Sequence, residues 1–256
     1  MLAILSPAKN FQRIPFPDER LMMTKSQFPE KTEQLVMQLQ KYFPDELADV
    51  MKMSAKLGEE NYIRFQNFFH ENNHGHAGLL SYKGEAFKGV DVASFTYDDL
   101  MYAQNTVRVL SGLYGAVCPL DEIKPYRLEM QTQFKSGHVQ NLYDFWQETL
   151  TDHILSSVLA SPGEKALVNV ASQEYTKALD LEKLSGAFPV IHIHFKEQKG
   201  NKLRVISMYA KRARGLFVQY MIKNRVEDFS KLQEFQADGY NFRPDLSTKT
   251  DYVFTR

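Results

Sequence analysis

Four polar clusters, each directly after an apolar run of strand length, carry residue types that bind anions and move protons. Leu2–Leu5 leads into Ser6-Pro7-Ala8-Lys9, and Val107–Leu110 into Ser111-Gly112-Leu113-Tyr114-Gly115. Ala166–Val170 leads into Ser172-Gln173-Glu174-Tyr175, and Leu203–Met208 into a basic run holding Lys211, Arg212, Arg214 and Gly215. Open α/β sheets bind ligands beyond the carboxyl ends of their strands, because the loops converge there on a rigid support. If the four strands run parallel, Lys9, Lys211, Arg212 and Arg214 share one rim and form an anion-binding cleft. Gly112 and Gly115 would let backbone approach a ligand closely. Taken singly, each cluster is also explained by turn and cap formation.

Pro125–Met130 adds Arg127 and Glu129, two residues apart and so on one side of an extended segment. They read either as a structural ion pair or as a base beside a cation. Glu129 and Glu174 are the candidate catalytic acid and base, with Tyr114 or Tyr175 available to stack or donate a hydrogen bond. Lys83-Gly84-Glu85 sets a cation and a carboxylate about a tight turn, as in a surface hairpin. No zinc, P-loop or dinucleotide spacing is present: His192 and His194 alternate on a strand, and His70, His74 and His76 lie in one loop without suitable partners. No metal or cofactor is expected. Cys118, the single cysteine, precedes a proline in an apolar stretch and reads as a buried thiol.

The elements that must position these groups are legible in outline. Apolar spacing at Leu35, Val36 and Leu39 predicts a helix over Lys31–Tyr42, and further helices are expected over Asp45–Met51, Gly58–Phe69 and Leu142–Leu159. Five buried strands are expected: Leu2–Leu5, Val107–Leu110, Ala166–Val170, Val190–Phe195 and Leu203–Met208. Their alternation with helices predicts an α/β (or α+β) fold, one compact domain over residues 1–256 with a mixed, mostly parallel sheet and flanking helices. The helix–loop–helix at about 45–69 would act as a helix-hairpin-helix-like insertion, a unit that offers amides and lysines to phosphates, although the glycines typical of that hairpin are missing between Met53 and Leu57. On spacing alone, ordinary helical packing is the better explanation.

The 256 residues carry 31 basic and 31 acidic side chains, so a wholly basic nucleic-acid coat protein is excluded. Between Lys196 and Arg225, however, nine basic residues face one acid, Glu197, a local excess of +8. No run approaches the length of a membrane helix, and Met1–Pro7 has no basic leader, so a cytoplasmic protein without membrane contact is expected.

In order, Leu5-Ser6-Pro7-Ala8-Lys9, Leu110–Gly115, Pro125–Met130, Leu142-Tyr143-Asp144-Phe145-Trp146, Asn169–Tyr175 and Tyr209–Gly215 resemble the YaaA family of bacterial peroxide-stress proteins. The resemblance spans almost the whole chain. It implies a cytosolic protein that limits hydrogen peroxide damage, partly by lowering free iron, and that binds DNA through a positively charged cleft and a helix-hairpin-helix-like element. That element matches Val50–Leu57 with Asn61 and Arg64-Phe65 following, Gly58 standing where alanine is common. Two functions follow as expectations. In the first, Lys9, Lys56, Lys83, Lys211, Arg212 and Arg214 neutralise DNA phosphates, with shape rather than sequence preference. In the second, the chain is an enzyme on a nucleotide, nucleoside or nucleic-acid base, with Glu129 and Glu174 as acid and base and Arg127 and Lys9 holding a small anionic ligand. Direct iron sequestration would fit the stress role but has no ligand cluster to support it.

Overall fold

The computed structural model describes residues 1–133, 141–200 and 202–256. In chain order the strands are β1 (Leu2–Leu5), β2 (Asn10–Phe11), β3 (His76–Ala77), β4 (Tyr82–Lys83), β5 (Val107–Ser111) and β6 (Gly115–Val117). Then come β7 (Glu122–Ile123), β8 (Leu167–Asn169), β9 (Val190–Lys199), β10 (Lys202–Arg204), β11 (Asn241–Phe242) and β12 (Asp251–Thr255). The main sheet has eight strands in the order β11-β12-β9-β8-β1-β5-β6, with β10 paired to β9. β5, β1, β8, β9 and β12 are mutually parallel, and β6, β10 and β11 are antiparallel additions.

The parallel centre follows from its residues. Every residue of β1, β5 and β8 is buried, so these strands have no solvent face; β1 is an unbroken apolar run, while β5 carries the buried Arg108 and ends on Ser111, and β8 ends on Asn169. The helices α6 (Tyr97–Thr106), α9 (Leu181–Ala187) and α10 (Ser207–Lys223) pack directly on the strands. The connection from β1 leads to β5 on one side. The next, through α7 (Leu142–Ala160), returns to β8 on the other side. The direction in which strands are added across the sheet therefore reverses between the parallel neighbours β1 and β8, which opens a crevice at their carboxyl ends.

Of the expected fifth strand, Leu203–Met208, only Leu203 and Arg204 are strand, in the edge strand β10. β10 stops at Arg204 and α10 starts at Ser207, so Lys211, Arg212 and Arg214 project from a helix rather than from a strand exit. Val205-Ile206-Ser207-Met208 alternates like a strand, but Ser207 and Met208 open α10, whose Ala210, Ala213 and Phe217 are buried at helical spacing. The strand that completes the parallel set, β12, was missed. Helix limits also shift: α1 is Pro29–Leu39, α2 is Pro44–Val50 and α3 is Ala55–Gln66, with prolines opening α1 and α2 and Ser54 capping α3 through the Leu57 amide.

The basic stretch is partly neutralised within the chain. Lys223 Nζ and Arg225 Nη1 lie 2.7 and 2.9 Å from the buried carboxylate of Asp99, which also caps α6 by accepting from the Thr96 amide. Burial raises the Asp99 pKa, but the hydrogen bonds from Lys223, Thr96 and Arg225 outweigh it and hold the group at about 2. A folded pKa below the unfolded value near 3.9 stabilises the fold above that value, and this contribution is lost as pH falls from about 4 to about 2. Asp99→Asn is expected to cost on the order of 2 kcal/mol at pH 7 and much less at pH 2.5. Urea midpoints at the two pH values check it; an equal loss at both would refute it.

Candidate functional site

The exits of β1 and β8 are tied together first. Ser6 Oγ accepts the Ser172 backbone N–H at 2.8 Å and donates to Ser172 Oγ at 3.2 Å. Between these exits opens a cavity of about 290 Å³, lined from β1 by Leu5–Asn10 and from β8 by Val170, Ser172, Glu174 and Tyr175. The strap Tyr126–Glu129 forms a second wall, and Lys83 with the start of α5 (Glu85–Val90) forms a third. Lys211 and Arg214 close it from α10.

The close crossing of α5 and α10 makes that last wall possible. A Cβ at Gly215 would lie 1.8 Å from the Ala86 carbonyl oxygen, and one at Gly89 would lie 2.2 Å from that of Arg212. Only glycines permit backbone to meet backbone at this distance. The cations of α10 thereby reach a site built by strands far from them in sequence.

Within the cavity the two carboxylates differ. Glu129 Oε1 receives Lys9 Nζ at 2.7 Å and Arg127 Nη2 at 3.1 Å. Burial pushes the Glu129 carboxyl up, but Lys9 and then Arg127 overcome this and hold it below the usual range. Glu174 is pushed up, chiefly by burial; the Gln131 N–H at 3.5 Å opposes the rise, and the charge of Glu129 adds to it. A pair of acids driven apart by their surroundings is the arrangement used for acid–base division of labour.

Lys83, Lys211 and Arg214 face the same cavity and have no ion-pair partner among the described residues. Burial pulls the Arg214 guanidinium down, the mark of a cation withdrawn from water without a counterion. Arg127 Nε is buried with no hydrogen-bond partner.

Tyr126 is fixed from behind. Ser111 Oγ accepts the Leu113 and Tyr114 amides at 3.2 and 2.9 Å, so its proton goes to Tyr126 Oη at 2.6 Å. Tyr126 Oη shares a second hydrogen bond with Tyr82 Oη at 3.0 Å.

A second, wider basin of about 540 Å³ adjoins the first. Lys9, Asn10, Lys83 and Arg127 line both, and Leu57, Asn61 and Arg64 of α3 supply the outer wall. The ridge between the basins is the β2–β4 ribbon, in which Asn10 pairs with Lys83.

Of the residues singled out in the sequence, Lys9, Lys83, Arg127, Glu129, Glu174, Lys211 and Arg214 converge on the cavity. Lys56 and Arg212 do not line it; both are exposed, on α3 and α10. The readings of Gly112 and Gly115 are corrected: Gly112 packs on the Leu128 carbonyl and Gly115 on the Trp146 ring, so they seat the chain's own strap and core. Lys83-Gly84-Glu85 is no hairpin tip, since Gly84 precedes α5 and Lys83 ends β4. Asn10 on the two-residue β2, Arg13 just beyond it and Phe87 on the six-residue α5 carry no sequence signal, because elements this short show no period.

A family model described as peroxide stress protein YaaA matches residues 1–246. The chain belongs to the YaaA family. Its relatives include a UPF0246 protein of Clostridium beijerinckii, 43% identical over 256 residues that cover all of this chain and 98% of the relative. Another, from Acaryochloris marina, is 44% identical over 261 residues and matches end to end. A third, from Saccharophagus degradans, is 39% identical over 259 residues, covering all of this chain and 99% of the relative. The family description assigns this YaaA-family chain to peroxide stress. Among the described residues no helix is long and apolar enough to cross a membrane, and no group of three or more histidines, cysteines or carboxylates is placed to hold a metal ion.

In a YaaA-family chain a lone cysteine invites a peroxide-sensing role, and the environment of Cys118 opposes it. The side chain is 3% exposed and burial pushes its thiol up to about 12, so little of the reactive thiolate exists at neutral pH. Iodoacetamide is expected to leave Cys118 unmodified in the folded protein at pH 7.5 and to alkylate it promptly in urea; rapid labelling of the native chain, read by mass spectrometry, would contradict this.

Proposed function

We propose that the chain is a cytosolic peroxide-stress protein that binds DNA through the cation-lined cleft and helps to limit iron-driven oxidative damage. The observation that carries the DNA reading is the set of cations left without partners: Lys83, Lys211 and Arg214 in the cavity. Lys56 and Arg212 stand exposed beyond it, likewise with no ion-pair partner among the described residues. Backbone phosphates are the ligands such a set suits, since each contact releases condensed counterions. The α2–α3 hairpin supports the reading by placing α3 along the outer basin. Gly58 allows the two helices to touch, a Cβ there falling 2.4 Å from the Pro44 carbonyl oxygen.

Neutralising about five phosphates predicts a slope of log affinity against log salt near −4 to −5 on duplex DNA. Fluorescence anisotropy across a salt series measures it, and a flat response would overturn the reading.

The alternative, an enzyme acting on a nucleotide, nucleoside or base, is favoured by one observation: Glu129 and Glu174 face one enclosed cavity with their proton affinities displaced in opposite directions. Metabolite profiling of Glu129→Gln and Glu174→Gln strains tests it. Unchanged substrates together with intact peroxide resistance would remove it.

A further inference from the structure

The two basins differ in a way that simple backbone binding does not use. The inner one is walled by Phe87, Tyr126 and Tyr175, with Ser172, Glu129 and Glu174 among its polar groups beside the cations already described. The outer one is shallow and runs along α3. The ridge between them holds Lys9, Lys83 and Arg127, the last with an unpartnered buried Nε.

A nucleotide has the same layout. Its phosphate is a compact anion, its base is a flat aromatic body with a polar edge, and the next phosphate follows along the strand. A stacked base pair does not fit a cavity of about 290 Å³ bounded by the strand exits, the strap, α5 and α10, whereas one base turned out of its stack does.

We infer that the inner basin receives a single unstacked nucleobase while its phosphate lies across the Lys9–Lys83–Arg127 ridge and the strand continues over the outer basin. The inference rests on the nucleic-acid reading above and adds its register. Tyr126 and Tyr175 offer aromatic surface to the base, and Ser172 and Glu174 meet its polar edge. The ligand is a nucleotide, whose source is either a displaced base in a strand or a free mononucleotide.

The test uses the full chain and three DNA probes of equal length at one salt concentration: a perfect duplex, the same duplex with one unpaired base, and that bulge with the base removed to leave an abasic sugar. Because the unpaired base spares the cost of unstacking, it is expected to bind about tenfold tighter than the duplex. The abasic bulge should lose that advantage although it keeps the phosphates and the flexibility. Equal binding of the abasic and base-containing bulges would overturn the inference. Equal binding of all three probes with a steep salt slope would overturn it too, yet leave the backbone reading standing; a flat salt slope would remove both.

Ala8→Phe fills the inner basin without changing charge, and is expected to abolish the tenfold preference while keeping the salt slope; a preference that survives it counts against the basin. Competition by a deoxynucleoside monophosphate separates the sources. Displacement of the bulge at equal affinity assigns the site to the free nucleotide, and displacement only at far higher concentration assigns it to the strand.

Discussion

Alanine in place of Gly215 is expected to destabilise the protein by about 3 kcal/mol or more and to remove its nucleic-acid affinity together with its stability. The new Cβ would sit 1.8 Å from the Ala86 carbonyl oxygen, far inside contact distance, so α10 must move away from α5. That movement withdraws Lys211 and Arg214 from the cavity they close. Overpacking a backbone contact has no flexible side chain to absorb it, and this places the cost at the upper end of the usual range. Gly186→Ala is the control. Nothing lies within 4 Å of its added Cβ, and a helical glycine replaced by alanine should gain about 0.5–1 kcal/mol. Urea denaturation of both variants decides the matter: a Gly215→Ala midpoint equal to that of the native protein would show that the helix crossing is not tightly constrained.

The second large effect belongs to the partnerless cations. Replacing Lys83, Lys211 and Arg214 together by glutamine is expected to flatten the salt slope on duplex DNA by about 3 and to lower affinity at 0.1 M salt by two to three decades, about one decade per lost phosphate contact. The fold should tolerate the change, because none of the three has an ion-pair partner among the described residues. Lys223→Gln is the contrasting variant. Its ammonium is engaged by Asp99 at 2.7 Å, so its loss should reduce stability and leave the slope alone. A triple variant with native slope and affinity would move the DNA contact away from this cleft. A Lys223→Gln variant that flattened the slope would show that ion-paired cations are recruited as well.

The two expectations divide the basic stretch of Lys196–Arg225, which its composition presents as one feature. Its carboxyl end is structural, locked on Asp99. Its middle, on the amino-terminal half of α10, faces the cavity. Near its amino end, Glu197 is held by Arg256 at 3.0 Å. Charge density along a chain says that an anion will be met; which carboxylate or phosphate meets it depends on what folds alongside.

Much of the site was nevertheless legible. Ser6–Lys9 and Ser172–Tyr175 follow fully buried strands, and a buried parallel strand announces itself as a near-continuous apolar run whose exit must be polar. Glu129 could be foreseen beside Arg127 because two residues in an extended strap share a side. Lys9, the other half of that ion cluster, could not be foreseen there, since it arrives from the exit of β1. The overrun of the expected fifth strand into α10 has a similar origin: four residues of alternating character fit a strand and the start of a helix equally well, and only the packing of Ala213 and Phe217 beneath α10 breaks the tie.

By itself, then, the sequence determined the α/β class, the central strands and the polar character of their exits, which follow from period and local composition acting over a few residues. Its ordered motifs carried the resemblance to the YaaA family. Tertiary structure decided the rest: that the direction of strand addition reverses between β1 and β8, that α10 supplies the rim, that Glu129 gathers Lys9 and Arg127, and that the β2–β4 ribbon splits one cleft into two basins. Each joins segments distant in the chain, and the contact that permits it, such as Gly89 and Gly215 at the α5–α10 crossing, leaves no local pattern. A glycine needed for close approach and a glycine in a solvated helix are the same letter until the partner helix is in place.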